Sequence, residues 1–172
     1  FAPQVQVEAA PLRADSDDFV ITVKTDNTGP SNDDQFTIPT NSNETYDYNV
    51  DCNNDGTDEV TGATGDYTCD YSTLGGAGTY TIRIKDNTGA GTGFPRIYFN
   101  DAGDKEKLLT IEQWGTGHWT SMNSAFYGCS NLAGQAVDTP DLSGVESLSL
   151  MFCKASSFNQ DLSGWDTSSV TD

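Results

Sequence analysis

The stretch Asp51–Glu59, DCNNDGTDE, holds the densest set of residues able to do chemistry. Asp51, Asn53, Asp55 and Glu59 occupy positions 1, 3, 5 and 9 of a calcium-type loop, with Gly56 at the sharp turn. Short oxygen-bearing side chains at alternate positions let one turn wrap a hard cation. Position 12 is Gly62, where an EF-hand needs a bidentate Glu, and no helix-forming sequence flanks the loop. Weakly bound calcium, as in extracellular modules, is one expectation. A metal-free hairpin turn made of Asn, Asp and Gly is the other.

Cys52 lies in the same stretch, and Cys69, Cys129 and Cys153 complete the four cysteines. None has CxxC spacing, and the single histidine, His118, has no Cys or His neighbour, so zinc is not indicated. Two disulfides in an oxidising compartment fit better. The most economical pairing joins Cys52 to Cys69 and Cys129 to Cys153, and the sequence leaves the other pairings open. No catalytic constellation stands out. His118 sits in WGTGHWTS between two tryptophans, as a packed or half-exposed residue would, and no carboxylate pair is marked out by spacing. Trp114, Trp119 and Trp165 are candidates either for a sugar-stacking platform or for the core. Asn43-Glu44-Thr45 is an N-glycosylation sequon.

The elements that must hold these residues are β-rich. FVITVKT (19–25), QFTIPT (35–40), TYDYNVDC (45–52), DYTCDYS (66–72), TYTIRIKD (79–86) and FPRIYFN (94–100) alternate and are rich in Val, Ile, Thr, Tyr and Phe. Gly, Asn, Asp and Pro clusters separate them, as in an antiparallel sandwich. The expected inner face of TYTIRIK carries Tyr80, Ile82 and Ile84, with Lys24 and Lys85 toward solvent. Ahead of this, residues 1–15 form a leader in which Val5, Val7 and Ala9 alternate. It reads either as a disordered piece or as a strand that pairs with the edge of a neighbouring molecule. After Asn100 the composition changes, and KEKLLTIEQW is the best helix-like run; residues 101–122 are expected to cap the end of a solenoid.

The last third of the chain repeats. Phe126 and Phe152, and Leu132 and Phe158, correspond at a spacing of 26, while Val137 and Leu162, Pro140 and Trp165, and Val145 and Val170 correspond at 25. Trp114 and Trp119 mark a weaker copy upstream. A period in the twenties is the signature of a solenoid, whose single repeat cannot bury its own apolar face. The inward positions are Phe126, Leu132, Val137, Val145, Leu148, Phe152, Phe158, Leu162, Trp165 and Val170. The sequence stops at Asp172 within a repeat cycle and opens without a signal-like stretch, as expected of a mature or excised form.

Two resemblances carry these patterns further. YDYNVDCNNDGTDE and CDYSTLGGAGTYTIRI resemble the polycystic-kidney-disease-type domain, an immunoglobulin-like β-sandwich of secreted bacterial proteins, over residues 18–86. Cys52 stands near an expected aromatic and Cys69 near an expected His. The resemblance implies that a Cys52–Cys69 bridge takes the place of that packing. SFNQDLSGWDTSSVTD resembles the bacterial surface 26-residue repeat called BspA-like, a leucine-rich-repeat-like family, over 110–172. It implies a surface protein associated with adhesion and without catalysis in the repeat.

The expected molecule is mainly β. A leader (1–15) precedes an immunoglobulin-like antiparallel β-sandwich (16–100), then a cap and short leucine-rich-repeat-like solenoid (101–172). With 8 basic against 26 acidic residues and a net charge of −18, the chain should repel nucleic acid and anionic membranes. No apolar run is long enough to span a membrane. The expected role is a non-enzymatic extracellular or cell-surface adhesion or structural module, with a protein or polysaccharide ligand or other copies of itself as partner. Two alternatives are a subunit of an extracellular fibre, assembled head to tail through the leader and the open repeat end, and an accessory carbohydrate-binding module.

Overall fold

A computed structural model describes residues 16–172. The leader, with Val5, Val7 and Ala9, lies outside the described residues. Eight strands form: β1 (Phe19–Lys24), β2 (Gln35–Ile38), β3 (Tyr48–Asp51), β4 (Val60–Ala63), β5 (Tyr67–Asp70), β6 (Thr79–Asp86), β7 (Leu108–Gln113) and β8 (Ala133–Gly134). They make a six-stranded mixed sheet in the order β4-β3-β6-β1-β7-β8 and a two-stranded sheet, β2-β5. All pairs are antiparallel except β7 with β8. The fold is thus mainly β, as expected, with a mixed sheet where an antiparallel one was expected. No helix among the described residues is long and apolar enough to cross a membrane.

The alternation of apolar residues explains the larger sheet. Phe19, Ile21 and Val23 of β1 and Ile82 and Ile84 of β6 are buried, and β1 pairs with β6 residue for residue from Phe19↔Ile84 to Lys24↔Thr79. Tyr80 is partly buried beside them. Arg83 is buried on the opposite face because Asp18 takes its charge: Nε donates to Asp18 Oδ2 at 2.9 Å and Nη2 at 2.5 Å. A guanidinium removed from water needs such a partner. Lys24 is 40% exposed and pairs with Asp26, whereas Lys85, 23% exposed, donates to Asp58 at 2.6 Å. The disulfide Cys52–Cys69 ties the end of β3 to β5, linking the two sheets.

Two expectations are corrected. KEKLLTIEQW is not helical: a single 3₁₀ turn at Lys105–Lys107 runs into β7, which lies along the free edge of β1. Leu108, Thr110 and Ile111 are buried there, so pairing with an available strand edge overrides helix propensity. FPRIYFN is not a strand either. It buries Phe94, Ile97 and Phe99 and turns its backbone toward the repeats, with the Phe99 amide donating to the Ala125 carbonyl at 3.0 Å. Strand β4 carries no alternation that would mark it in the sequence, because Gly62, at φ +70, interrupts it.

One core therefore runs through both expected units. Phe19 of β1 stacks on Trp114 at 5.8 Å between ring centroids, Trp114 meets Phe126 edge-on at 5.9 Å, and Phe126 stacks on Phe152 at 5.6 Å. Across the seam, fully buried Lys107 donates from Nζ to the carbonyls of Ser31 (3.1 Å), Asn32 (2.8 Å) and Gln35 (3.0 Å) and to Ser31 Oγ (2.7 Å). Asp104, also buried, accepts from the amides of Ser31 and Thr37 and from Ser31 Oγ. These bonds fasten the 31–37 loop to the start of the repeat region.

Candidate functional site

The repeats are joined by three columns of peptide groups. The amides of Ser124, Phe126 and Gly128 donate to the carbonyls of Ser149 (2.9 Å), Met151 (2.9 Å) and Cys153 (2.8 Å). One level down, Phe99 and Asp101 donate to the carbonyls of Ala125 and Tyr127, and Arg96 Nη2 donates to the Asn123 carbonyl. A trans peptide points its C=O and N–H in opposite directions. Each carbonyl that accepts from below therefore belongs to a peptide whose amide donates upward. Ser124 and Leu150 (φ 55° and 58°), and Gly128 and Lys154 (φ 85° and 59°), hold left-handed backbone at matching places 26 residues apart. The same reasoning turns the amides of Leu150, Phe152 and Lys154 outward. None of the three has a hydrogen-bond partner among the described residues.

Polar side chains recur in the same register. Ser121 Oγ accepts from the Asn123 amide and Ser147 Oγ from that of Ser149. Asp141 accepts from the Ser143 amide and, 25 residues on, Asp166 from that of Ser168. Donation by Ser143 and by Ser168, more than the small desolvation of each carboxyl, holds both aspartates below the usual carboxylate range. Side chains also bridge levels: Asp138 accepts from the amides of Trp114 and Gly115, and Gln160 donates to the Ala136 carbonyl at 2.6 Å. The result is a ladder of self-capped Ser and Asp turns along one side of the coils.

These bridges explain the exceptions among the expected inward positions. Phe126, Leu132 and Val145 are buried, and Leu148, Phe152, Phe158 and Trp165 are partly buried against the core. Val137 is fully exposed, because Ala136 and Asp138 on either side of it face the neighbouring coils. Leu162, at 36%, is exposed as well and occupies the place that corresponds to Val137. Trp114 and Trp119 are core residues and offer no stacking platform, while Trp165 meets Trp114 edge-on at 5.3 Å.

The calcium-type loop is built as a hydrogen-bonded turn. Asp51, buried at the end of β3, accepts from the amides of Asp55 (3.1 Å) and Gly56 (2.9 Å). Asn53 donates to Asp55, and Glu59 folds back to accept from the Cys52 amide at 2.6 Å. Among the described residues no group of three or more His, Cys, Asp or Glu side chains is placed to hold a metal ion. Asp51, Asn53, Asp55 and Glu59 thus share a turn, not a ligand shell.

The expected bridge between Cys129 and Cys153 is absent, and both are free thiols. The amide of Cys129 donates to Phe126 and that of Ala155 to Phe152, which puts Ala155 in the place that corresponds to Cys129. Cys153 corresponds instead to Tyr127. The offset of two positions sets the thiols at different points of the coil.

Where the sheet loops meet the repeats, a groove of about 650 Å³ is lined by Asn43, Glu44, Asp47, Thr88, His118 and Ser143, among others. His118 Nδ1 lies 2.5 Å from Asp141 Oδ2 and is well exposed. Sequence reasoning finds His118 but not this partner, since only the coil register reveals a contact across 23 residues. The lining is polar and acidic, suited to hydroxyl-rich or cationic groups. Comparison with curated proteins and with solved structures gives no match. Residues 96–172, which begin in the segment under the first coil, match the family described as "Mycoplasma protein of unknown function, DUF285".

Proposed function

We propose that the chain is a non-enzymatic extracellular or cell-surface module. On this reading an immunoglobulin-like β-sandwich roots a leucine-rich-repeat-like solenoid that contacts a protein or polysaccharide. The observation that carries it is the register of the coils, which places Asp141 with Asp166 and Ser143 with Ser168 in rows. Rows of identical groups favour many weak contacts with a repeating partner, which multivalency makes strong. The Cys52–Cys69 disulfide supports an oxidising compartment. A net charge of −18 disfavours nucleic acid and anionic membranes as partners. The test is binding of the full chain to immobilised polysaccharides and matrix proteins, beside a Ser143→Glu/Ser168→Glu variant with unchanged circular dichroism. Binding that falls at least tenfold in the variant supports the reading; no binding to any surface, or equal binding by both chains, sinks it.

A second reading, a subunit of an extracellular fibre, is favoured by the outward amides of Leu150, Phe152 and Lys154 beside the half-buried rings of Phe158 and Trp165. An unpaired row of backbone groups next to apolar surface is a template for another chain. Electron microscopy of the purified full chain tests it, and ordered head-to-tail polymers are expected.

A further inference from the structure

We propose that the amide row of Leu150, Phe152 and Lys154 receives residues 4–9 of a second copy of this chain as an added strand, an inference that rests on the fibre reading. The row offers donors alone, because the carbonyls of the same peptides are used by Ser124, Phe126 and Gly128. Two copies related by a two-fold axis would set donors against donors, so like faces do not pair. The row needs a segment that supplies carbonyls at alternate residues, which is what the edge of an extended strand presents.

The leader has that period. Val5, Val7 and Ala9 alternate with Gln4, Gln6 and Glu8, three apolar residues at the spacing of the three amides. One face of such a strand would lie toward the half-buried rings of Phe152, Phe158 and Trp165, and the other, with Glu8, toward water. Six residues at roughly 3.3 Å each are enough to run past the row. Electrostatics agree. The columns from Arg96, Phe99 and Asp101 through the 124–128 peptides align their dipoles, so the partial positive ends gather at Leu150, Phe152 and Lys154 beside the Lys154 ammonium. The acceptor face lies at the far end of the aromatic series from Phe19, where the leader joins the fold. The contact is heterologous and does not close by two-fold symmetry, and it yields a filament. The charge of −18 on each copy opposes growth, so added salt should promote it.

The test compares the full chain with a full-length Val5→Asp/Val7→Asp variant, which changes no described residue. Sedimentation over a concentration series is read at low and high salt, with hydrogen exchange of the amides of Leu150, Phe152 and Lys154. The proposal expects concentration-dependent growth of the natural chain, stronger in salt, loss of growth in the variant, and slowed exchange at the three amides on assembly. A natural chain that stays monomeric overturns the fibre reading and this inference together. Polymers that persist in the variant, or that leave the three amides unprotected, overturn the leader contact and leave the fibre reading standing. Protection in a monomer, lost in the variant, overturns the second copy as the source of the strand.

Discussion

Phe126 and Phe152 stack with their centroids 5.6 Å apart and their planes within 10°, across a repeat of 26 residues. The two rings hold different places in the stack. Phe126 has Trp114 against its other side and is fully buried, whereas Phe152 is partly buried against Phe158 and Trp165. Phe126→Ala should cost about 3–5 kcal/mol, the range for emptying a packed aromatic site. Phe152→Ala should cost clearly less, since solvent already reaches its site. Urea unfolding of the two variants checks this, and equal losses would contradict the placing of Phe126 as the interior rung.

Gly115 should tolerate no side chain. Its φ is +71°, and a Cβ would lie 2.4 Å from the Asp17 carbonyl oxygen and 2.5 Å from that of Asp18. Both neighbours are backbone and cannot swing aside. Gly115→Ala should lose well over about 1 kcal/mol, the scale of a glycine replaced where its conformation is needed. Gly65→Ala, with nothing within 4 Å, should be neutral or slightly stabilising. Thermal melting of both variants reads the contrast.

Residues 19–86 were largely legible because the alternation of β1, β2, β5 and β6 shows which side chains go inward. The repeat was legible for a similar reason: Phe126, Leu132 and Val145 mark the interior of a coil. What the sequence hid depends on partners distant along the chain. Helix-like KEKLLTIEQW became β7 because β1 had an edge to fill. Val137 turned outward because Gln160 and Asp138 fix the residues on either side of it. Lys107, expected within an exposed basic cluster, is buried in a cage of carbonyls from a loop about 75 residues away. The amide row at Leu150, Phe152 and Lys154 has no signal in side-chain types, since it arises from backbone direction alone.

Replacing Lys107 should be costly. Lys107→Met keeps the bulk of the stem but leaves the carbonyls of Ser31, Asn32 and Gln35 without their donor and Asp104 without the cation 3.9 Å away. Breaking a buried ion pair from one side typically costs about 3–5 kcal/mol. Asp104→Asn placed on top of Lys107→Met should recover part of the loss by removing the stranded charge. Denaturant unfolding in a double-mutant cycle measures it; full additivity of the two changes would contradict the pairing.

Acid should loosen the loop beside the groove. Burial alone would raise the Asp86 carboxyl, but donation from the Thr88 hydroxyl and from the amides of Gly91, Thr88 and Gly93 outweighs it and holds the group at about 2. A carboxyl whose folded value lies below its unfolded value stabilises the fold above the unfolded value, about 3.9, and loses that contribution as pH falls toward 2. The stability difference between the natural chain and Asp86→Asn should therefore be greatest above about pH 4 and shrink between 4 and 2. Urea midpoints across that range decide it, and a constant difference would show that the carboxylate charge is not what the loop uses.

The thiols should separate by reactivity. Cys129 is fully buried, and its burial, helped by the nearby Glu106 carboxylate, pushes its thiol far above the ordinary range. Cys153 is partly exposed. Thiolate is the reactive form, so a native chain treated with iodoacetamide at neutral pH should label Cys153 and spare Cys129, while the unfolded, unreduced chain should label both. Cys52 and Cys69 should react only after reduction, which removes a bridge of separation 17, worth about 3 kcal/mol for a loop of that size. Peptide mapping by mass spectrometry reads all four positions at once. A Cys129–Cys153 bridged peptide from the native chain would restore the staple between coils and require the 125–129 and 151–155 turns to shift toward each other by the offset of two positions that now keeps the thiols apart.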